Sequence, residues 1–427
     1  MKRMYDKHLT VGILSLLMTS AFFGTAAARA DVVSDWNTIA VNTAVANKQS
    51  PFAQARYAAI VQLAVFEAVN SITGEYKPYL GTLPARPWAS AEAATVEAAY
   101  QVLIAYFPNS ASTLLPAYTN SLAQIPNSQA KLDGIAAGDE AAQAMIALRA
   151  NDGSSPPLFK VPGPAVPGDW QATISCPIVN GIAQGTGFHW QNVTPFGIQS
   201  ASSFLLGPPP ALTSNEYAKA YNEVMTVGSA NSTERPQDRA NVALFYAASS
   251  PTQVFNQAAV QVAQQQGATL SENARTLALI NMAMSDSLVA SFFNKYHYNF
   301  WRPETAIHAG DTDGNPKTEA GPNYVPFITT PCFPSYPSNH GSAGNAAAEV
   351  LRRVYGEAGQ SITLTNPAVP AITLQYSSFK QITDDISDAR VYAGIHFRTD
   401  QKAGAELGRA VGTAVYKNNL RPAHDDD

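Results

Sequence analysis

"PFAQARYAAIVQLAVFEAVN", residues 51–70, places Ala59, Leu63, Phe66 and Val69 at intervals of three and four, with alanine filling most positions between them. That is the period of an α-helix that is apolar most of the way round, and such a helix has to be buried. Residues 90–107 and 127–150 repeat the pattern, rich in alanine and free of internal proline, and the second runs into the turn residues "NDGSSPP". Helical signals return at 215–227, 234–248, 251–266 and 271–297, and two more helices are expected to start near Ser338 and before His396. No strand alternation persists for more than a few residues, so the reading is all-α, built from bundled helices. Between the two groups of helices, residues 152–212 are dominated by Pro, Gly, Ser and Asn, with aromatic anchors at Trp170, His189, Trp190, Phe196 and Phe204. A loop this long serves as a lid, a site wall or a domain linker.

The expected organisation is a signal peptide over 1–30, an N-terminal helical region over 31–212, a C-terminal helical region over 213–420, and a disordered tail over 421–427. The signal rests on Lys2, Arg3 and Lys7 before the mostly apolar run from Leu9 to Phe23, followed by Ala28-Arg29-Ala30. The run is short for a membrane anchor, the competing reading. Export to the periplasm or outside the cell follows, with no stable membrane span after the signal is removed. The full chain of 427 residues has a net charge of −5, 46% hydrophobic and 14% charged residues. With no basic stripe, nucleic acid is not expected as a partner. The two cysteines, Cys176 and Cys332, form either a bridge beside Phe333 or buried thiols.

Three segments carry unusual polar groups. In "NKYHYNFWRPET", Lys295 and Arg302 are seven apart; on a helix that is about 20° short of two turns, so both should project from one face, with Pro303 ending the helix. A solvated face gives the same spacing, but Tyr296, Tyr298, Phe300 and Trp301 favour burial against an anion. In "FPSYPSNHGSAGNAAAEVL", Ser338, Asn339 and His340 precede a helical run, so Ser338 acts as an N-cap or the first-turn amides serve an anion. In "DDISDARVYAGIHFRTDQKAG", His396 and Asp400 are expected to share a helix face, the carboxylate orienting the imidazole. Arg390 would point about 120° away on an unbroken helix, so the backbone must bend between them, and Gly394 allows it. Three cations, a hydroxyl, helix-start amides and two histidines suit a tetrahedral oxyanion such as phosphate or vanadate. Three cations would repel a divalent metal, and a serine triad needs only neutral oxyanion donors.

Lys295-x(six)-Arg302-Pro303, Pro337-Ser338-Asn339-His340 and Arg390-x(five)-His396-x(three)-Asp400 resemble the three signature motifs shared by vanadium-dependent haloperoxidases and type-two phosphatidic acid phosphatases. "ARYAAIVQLAVFEAVN", "GDEAAQAMIALRANDG", "PFGIQSASSFLLGPPPALTSNEYAKAYNEV" and "FWRP" are similar to segments of secreted bacterial haloperoxidase-like proteins, so the likeness covers nearly all of the mature chain. The resemblance implies two packed four-helix bundles with vanadate as cofactor, or phosphate in the same site. It implies that Lys295, Arg302 and Arg390 neutralise the oxyanion and that Ser338 and the Asn339 amide hydrogen-bond it. His396 is the implied metal ligand, or the nucleophile of a phosphatase, and His340 the acid–base group. Phe333 falls where chloroperoxidase-type members place an aromatic residue near the halide. Two departures stand out: Asn339 replaces the usual glycine and Ala389 the usual serine.

Three functions follow from the same residues. The first is a haloperoxidase using hydrogen peroxide, halide and an organic acceptor. The second is an exported acid phosphatase acting on phosphomonoesters through His396, and the third is a non-catalytic oxyanion binder. "DTDGNPKTE", residues 311–319, departs from calcium-loop spacing and reads as a turn. His297, His308 and His189 read as structural histidines.

Overall fold

The computed structural model describes residues 31–424; the expected signal peptide and Asp425 to Asp427 lie outside the described residues. Among the described residues, five α-helices come first: α1 (Val32–Ala46), α2 (Pro51–Thr73), α3 (Ala91–Tyr106), α4 (Ala111–Ala123) and α5 (Gln129–Arg149). A short ladder, β1 (Ile178–Val179) and β2 (Ile182–Ala183), lies in the long excursion. Then come α6 (Asn215–Gly228), α7 (Gln237–Ala248), α8 (Pro251–Gln266), α9 (Leu270–Tyr298) and α10 (Pro303–His308). The chain closes with α11 (Asn339–Tyr355), the hairpin β3 (Ala358–Thr365) and β4 (Thr373–Ser378), α12 (Phe379–Tyr392) and α13 (Arg398–Asn418). The all-α expectation holds, with helices α1, α4 and α10 unforeseen and two helices, α12 and α13, flanking His396 where one was expected to start before it.

Local chemistry sets the helix ends. Ser50 accepts the Ala53 amide, Pro51 opens α2, and Gly74 closes it at φ +66. Thr269 and Glu272 form a reciprocal capping box at the start of α9.

Helix α9 is the axis of the molecule. It packs against α2 from the first group and against α11 and α13 from the second, and the main apolar core runs continuously through both groups. Among the described residues it is the one helix long and apolar enough to cross a membrane, and it is buried inside the protein along nearly its whole length. Helices α11 and α13 come unusually close, because a Cβ at Gly404 or Gly408 would stand 2.6 or 2.2 Å from the carbonyls of Ser338 or Ser342. That contact sets the start of α11 beside the start of α13.

Strand alternation does persist in one place, contrary to expectation. In β3, Gln360, Ile362 and Leu364 point inward between exposed neighbours, the period-two pattern of a half-buried strand. The hairpin lies against α8 rather than in a sheet of its own, with Gln257, Gln261 and Gln265 pairing with its backbone. The tail expectation also fails in part. Tyr76 and Pro422 form an antiparallel bridge, and the Lys77 and Ala423 amides donate to Arg421 and Glu75 carbonyls, so backbone pairing holds 421–423 in place.

The long excursion is stitched to the second group of helices. Asp286 of α9, fully buried, accepts the amides of Phe196, Gly197 and Ile198. The Trp170 amide donates to Asn299, the Trp301 amide to Gly168, and Cys176 is disulfide-bonded to Cys332. The segment therefore forms a wall against residues 299–301 and 332. His189 is structural, its Nδ1 accepting the Leu158 amide.

Candidate active site

Lys295 lies in the last turn of α9, but that helix does not continue to Arg302. Asn299 takes a left-handed conformation (φ +48) and ends it, and Arg302 is the extended residue before Pro303, the first residue of α10. The expected shared helix face is therefore corrected: Pro303 starts a helix, as its fixed φ suits it to do. What unites the two cations is the segment 333–337. Lys295 Nζ donates to the carbonyls of Pro334 (2.8 Å), Ser335 (2.8 Å) and Pro337 (2.5 Å), and Arg302 Nε donates to Phe333 (2.8 Å). Both cations lie over the Phe333 ring, 5.3 and 5.0 Å from its centroid. The three ammonium protons of Lys295 are thus all directed at backbone carbonyls.

Ser338 is the N-cap of α11, its Oγ accepting the Gly341 amide at 3.2 Å, while its own amide donates to the Asp400 carbonyl at 3.0 Å. The cap takes one first-turn donor. The amides of Asn339 and His340, at the first two helical positions, have no intrahelical acceptor, so the cap reading holds and leaves two donors unspent at the junction. The Asn339 side chain accepts the Ser291 hydroxyl at 2.7 Å, anchoring α11 to α9.

His396 and Asp400 do meet, but not on a helix face. His396 precedes α13, Phe397 is the N-cap, and Asp400 reaches back from the first turn. Its Oδ2 accepts from the Phe397 amide (3.1 Å), the Ser335 hydroxyl (2.6 Å) and His396 Nδ1 (2.9 Å). With its Nδ1 proton so used, His396 presents the Nε2 lone pair, which accepts from Arg302 Nη1 at 2.9 Å. The bend expected between Arg390 and His396 is there: α12 stops at Tyr392 and Gly394 turns at φ +80. Any Cβ on Gly394 would fall 2.3 Å from the Gly228 carbonyl. Arg390 Nη1 donates to the Tyr246 carbonyl at 3.3 Å. Arg398 turns away to Glu223 and Asp388.

The electrostatics follow from this crowding. Burial lowers the His396 pKa well below the usual imidazole range, helped by the charges of Arg302, Lys295 and Arg390. Burial and the Arg390 charge do the same to His340, against the opposing pull of the Ser249 and Tyr246 carbonyls, so both imidazoles are neutral at neutral pH. Burial and the neighbouring Arg302 press Lys295 downward too. Burial raises the Asp400 carboxyl, opposed by the Ser335 hydroxyl and the nearby cations.

Two residues escaped the sequence reading. Ser335 joins Asp400 and lies 3.4 Å from His396 Nδ1, and nothing but its place between two prolines marks it. Ser291 stands one helical turn before Lys295, a spacing that could have shown it on the same face. Ala389 is fully buried and offers no hydroxyl.

The donor set fits a tetrahedral oxyanion. Three buried cations face one carboxylate, and Arg302 Nη2 and Arg390 Nε are buried without a hydrogen-bond partner among the described residues, an arrangement whose missing element is negative charge. Among the described residues no cluster of His, Cys, Asp and Glu could hold a metal cation. A cavity of about 200 Å³ lined by Asn37, Phe245, Ser249 and Asn366 carries no charged side chain and is not this site.

Residues 275–425 match the family of the VCPO second helical-bundle domain. Over 201 residues the chain is 30% identical to vanadium chloroperoxidase of Curvularia inaequalis, a match taking in 39% of this chain and 32% of that protein, so it spans about a third of that relative's length. The fold is similar to that of the first bacterial vanadium-dependent iodoperoxidase (TM-score 0.76, 24% identity, covering 93% of this chain and 99% of that one). It is also similar to a holo-type bacterial vanadium-dependent chloroperoxidase (TM-score 0.65, 18% identity, covering 86% of this chain and 92% of that one). Residues 275–425 thus match the second helical-bundle domain of that family model, and the described chain shares its fold with the two bacterial vanadium-dependent peroxidases.

Proposed function

We propose that the protein is an exported haloperoxidase that oxidises halide with hydrogen peroxide at a vanadate held by Arg302, Arg390, Ser338, the Asn339 amide and His396. The observation that carries this is the buried excess of positive charge around a histidine nitrogen whose lone pair faces the site and meets only Arg302. Vanadate in this site supplies Lewis-acid activation of peroxide toward halide.

The chain's own residues do the rest. Asp400 keeps the proton on His396 Nδ1, so Nε2 faces the site as a ligand. Arg302 gives up its bond to that nitrogen and, with Arg390, neutralises the oxyanion. Lys295 contributes charge while holding the 334–337 segment. His340, kept neutral by its surroundings, accepts a proton from peroxide. Phe333, whose ring both cations contact, forms an apolar wall where halide approaches. The Cys176–Cys332 disulfide accords with an oxidising compartment.

The test is bromination of an organic reporter by peroxide, before and after loading with orthovanadate, beside hydrolysis of a phosphomonoester. Vanadate-dependent bromination is the expected result. Hydrolysis that vanadate inhibits, with no bromination, would replace this reading by the phosphatase.

A further inference from the structure

We infer that the side-chain amide of Asn339 is a contact residue for the bound oxyanion, supplying a neutral donor in addition to the backbone amides at the start of α11. The inference deepens the proposed function and rests on its oxyanion site. It begins with how the donors around that site are already spent. Lys295 has three N–H groups, and all three are held by the carbonyls of Pro334, Ser335 and Pro337. The cation is therefore a tether, and its field reaches the anion without a hydrogen bond.

Asn339 is placed differently. It is the first helical residue after the Ser338 cap, and its side-chain oxygen accepts the hydroxyl of Ser291 on α9 at 2.7 Å. With the oxygen fixed, the amide plane has one edge left. Its nitrogen, with two N–H donors, has no hydrogen-bond partner among the described residues, and it is not among the side-chain atoms sealed from solvent. The residue as a whole is only 8% exposed. A largely buried amide, locked at its oxygen and unspent at its nitrogen, thus sits at the helix start next to Ser338 and His340. Two buried guanidinium nitrogens of the same site, Arg302 Nη2 and Arg390 Nε, are likewise unpartnered. The geometry assigns Ser291 the role of a positioning residue, which fixes the amide without touching the ligand.

The two roles separate on substitution. Ser291→Ala removes the anchor and leaves the amide donor; Asn339→Ala removes both. Binding of orthovanadate and of inorganic phosphate to the full mature chain is measured by calorimetry, with the thermal midpoint recorded for each variant. If the amide contacts the oxyanion, Asn339→Ala weakens both ligands by roughly tenfold more than Ser291→Ala does, the loss expected for a hydrogen bond to a charged group, at similar thermal midpoints. Equal losses in the two variants overturn the inference and leave Asn339 as a clamp only. Failure of the unsubstituted protein to bind either anion overturns the oxyanion site itself, and this inference with it.

Discussion

Asp400 reaches back from the first turn of α13 to take the Nδ1 proton of His396, 2.9 Å away, and the same oxygen also accepts from Ser335 and the Phe397 amide. One carboxylate oxygen thereby fixes the ring's tautomer, its orientation and the entry of the chain into the helix. Asp400→Ala removes that acceptor, so nothing holds the imidazole proton on Nδ1 and Nε2 is no longer kept as the acceptor facing the site. Orthovanadate affinity should fall by roughly 10- to 100-fold, the usual cost of losing such a partner. Helix content measured by circular dichroism should be unchanged. Unaltered affinity would show that Asp400 does not set the tautomer.

Lys295 meets three carbonyls inside a segment that also carries Phe333 and Ser338. Lys295→Met keeps the unbranched stem but ends one atom short and leaves those carbonyls without donors, at about 1–3 kcal/mol for each buried polar group left unpaired. Urea unfolding should show a stability loss of about 3 kcal/mol or more on the same scale. A variant as stable as the parent that has lost vanadate binding would make Lys295 a ligand donor and not a tether.

The fold was legible because α2, α3, α5 and α9 are long runs rich in alanine or other apolar residues with no proline in their interiors, while α4 is interrupted by Pro116 and α1 directly follows the expected signal peptide. The site residues were legible by type and order, not by local geometry. Spacing suggested one helix through Lys295 and Arg302, yet Asn299 adopts a left-handed turn that few residues tolerate, and this breaks the helix. Spacing also put His396 and Asp400 on one helix, whereas the pair is made by a capping residue reaching backward. Ser291 and Ser335 act through contacts 48 and 65 residues distant in sequence, which no local pattern encodes. The β3 alternation was present in the sequence and went unread.

Cys176 and Cys332 close a loop of 156 residues and fasten the excursion beside Phe333. A Cys176→Ser, Cys332→Ser double variant should lose about 2–4 kcal/mol of stability, from the greater freedom of the unfolded chain. Because Cys332 adjoins Phe333, whose carbonyl binds Arg302, the halide KM should rise while the vanadate Kd stays within about twofold, as the cations and His396 keep their other partners. A lowered thermal midpoint with unchanged halide KM would make the bridge structural only.

His340 supplies a pH signature. Burial and the Arg390 charge lower its pKa well below 6.5 in the free protein, so at pH 7 it is neutral and carries a single ring proton. A bound dianion offsets the Arg390 charge and attracts the imidazolium, raising that pKa, so near it the complex holds more protons than the free protein. By linkage, affinity then rises as pH falls between the two pKa values, by up to about tenfold per pH unit for one group, and falls again as pH rises through the pKa of the complex. Inorganic sulfate is the suitable probe, since it does not titrate in this range. Calorimetry at pH 7 in buffers of different ionisation enthalpy should show proton uptake on binding, and His340→Ala should abolish most of it. His396 is held to one tautomer by Asp400 and shielded by Arg302, so it should contribute little; uptake that survives in His340→Ala would move the acid–base assignment to His396.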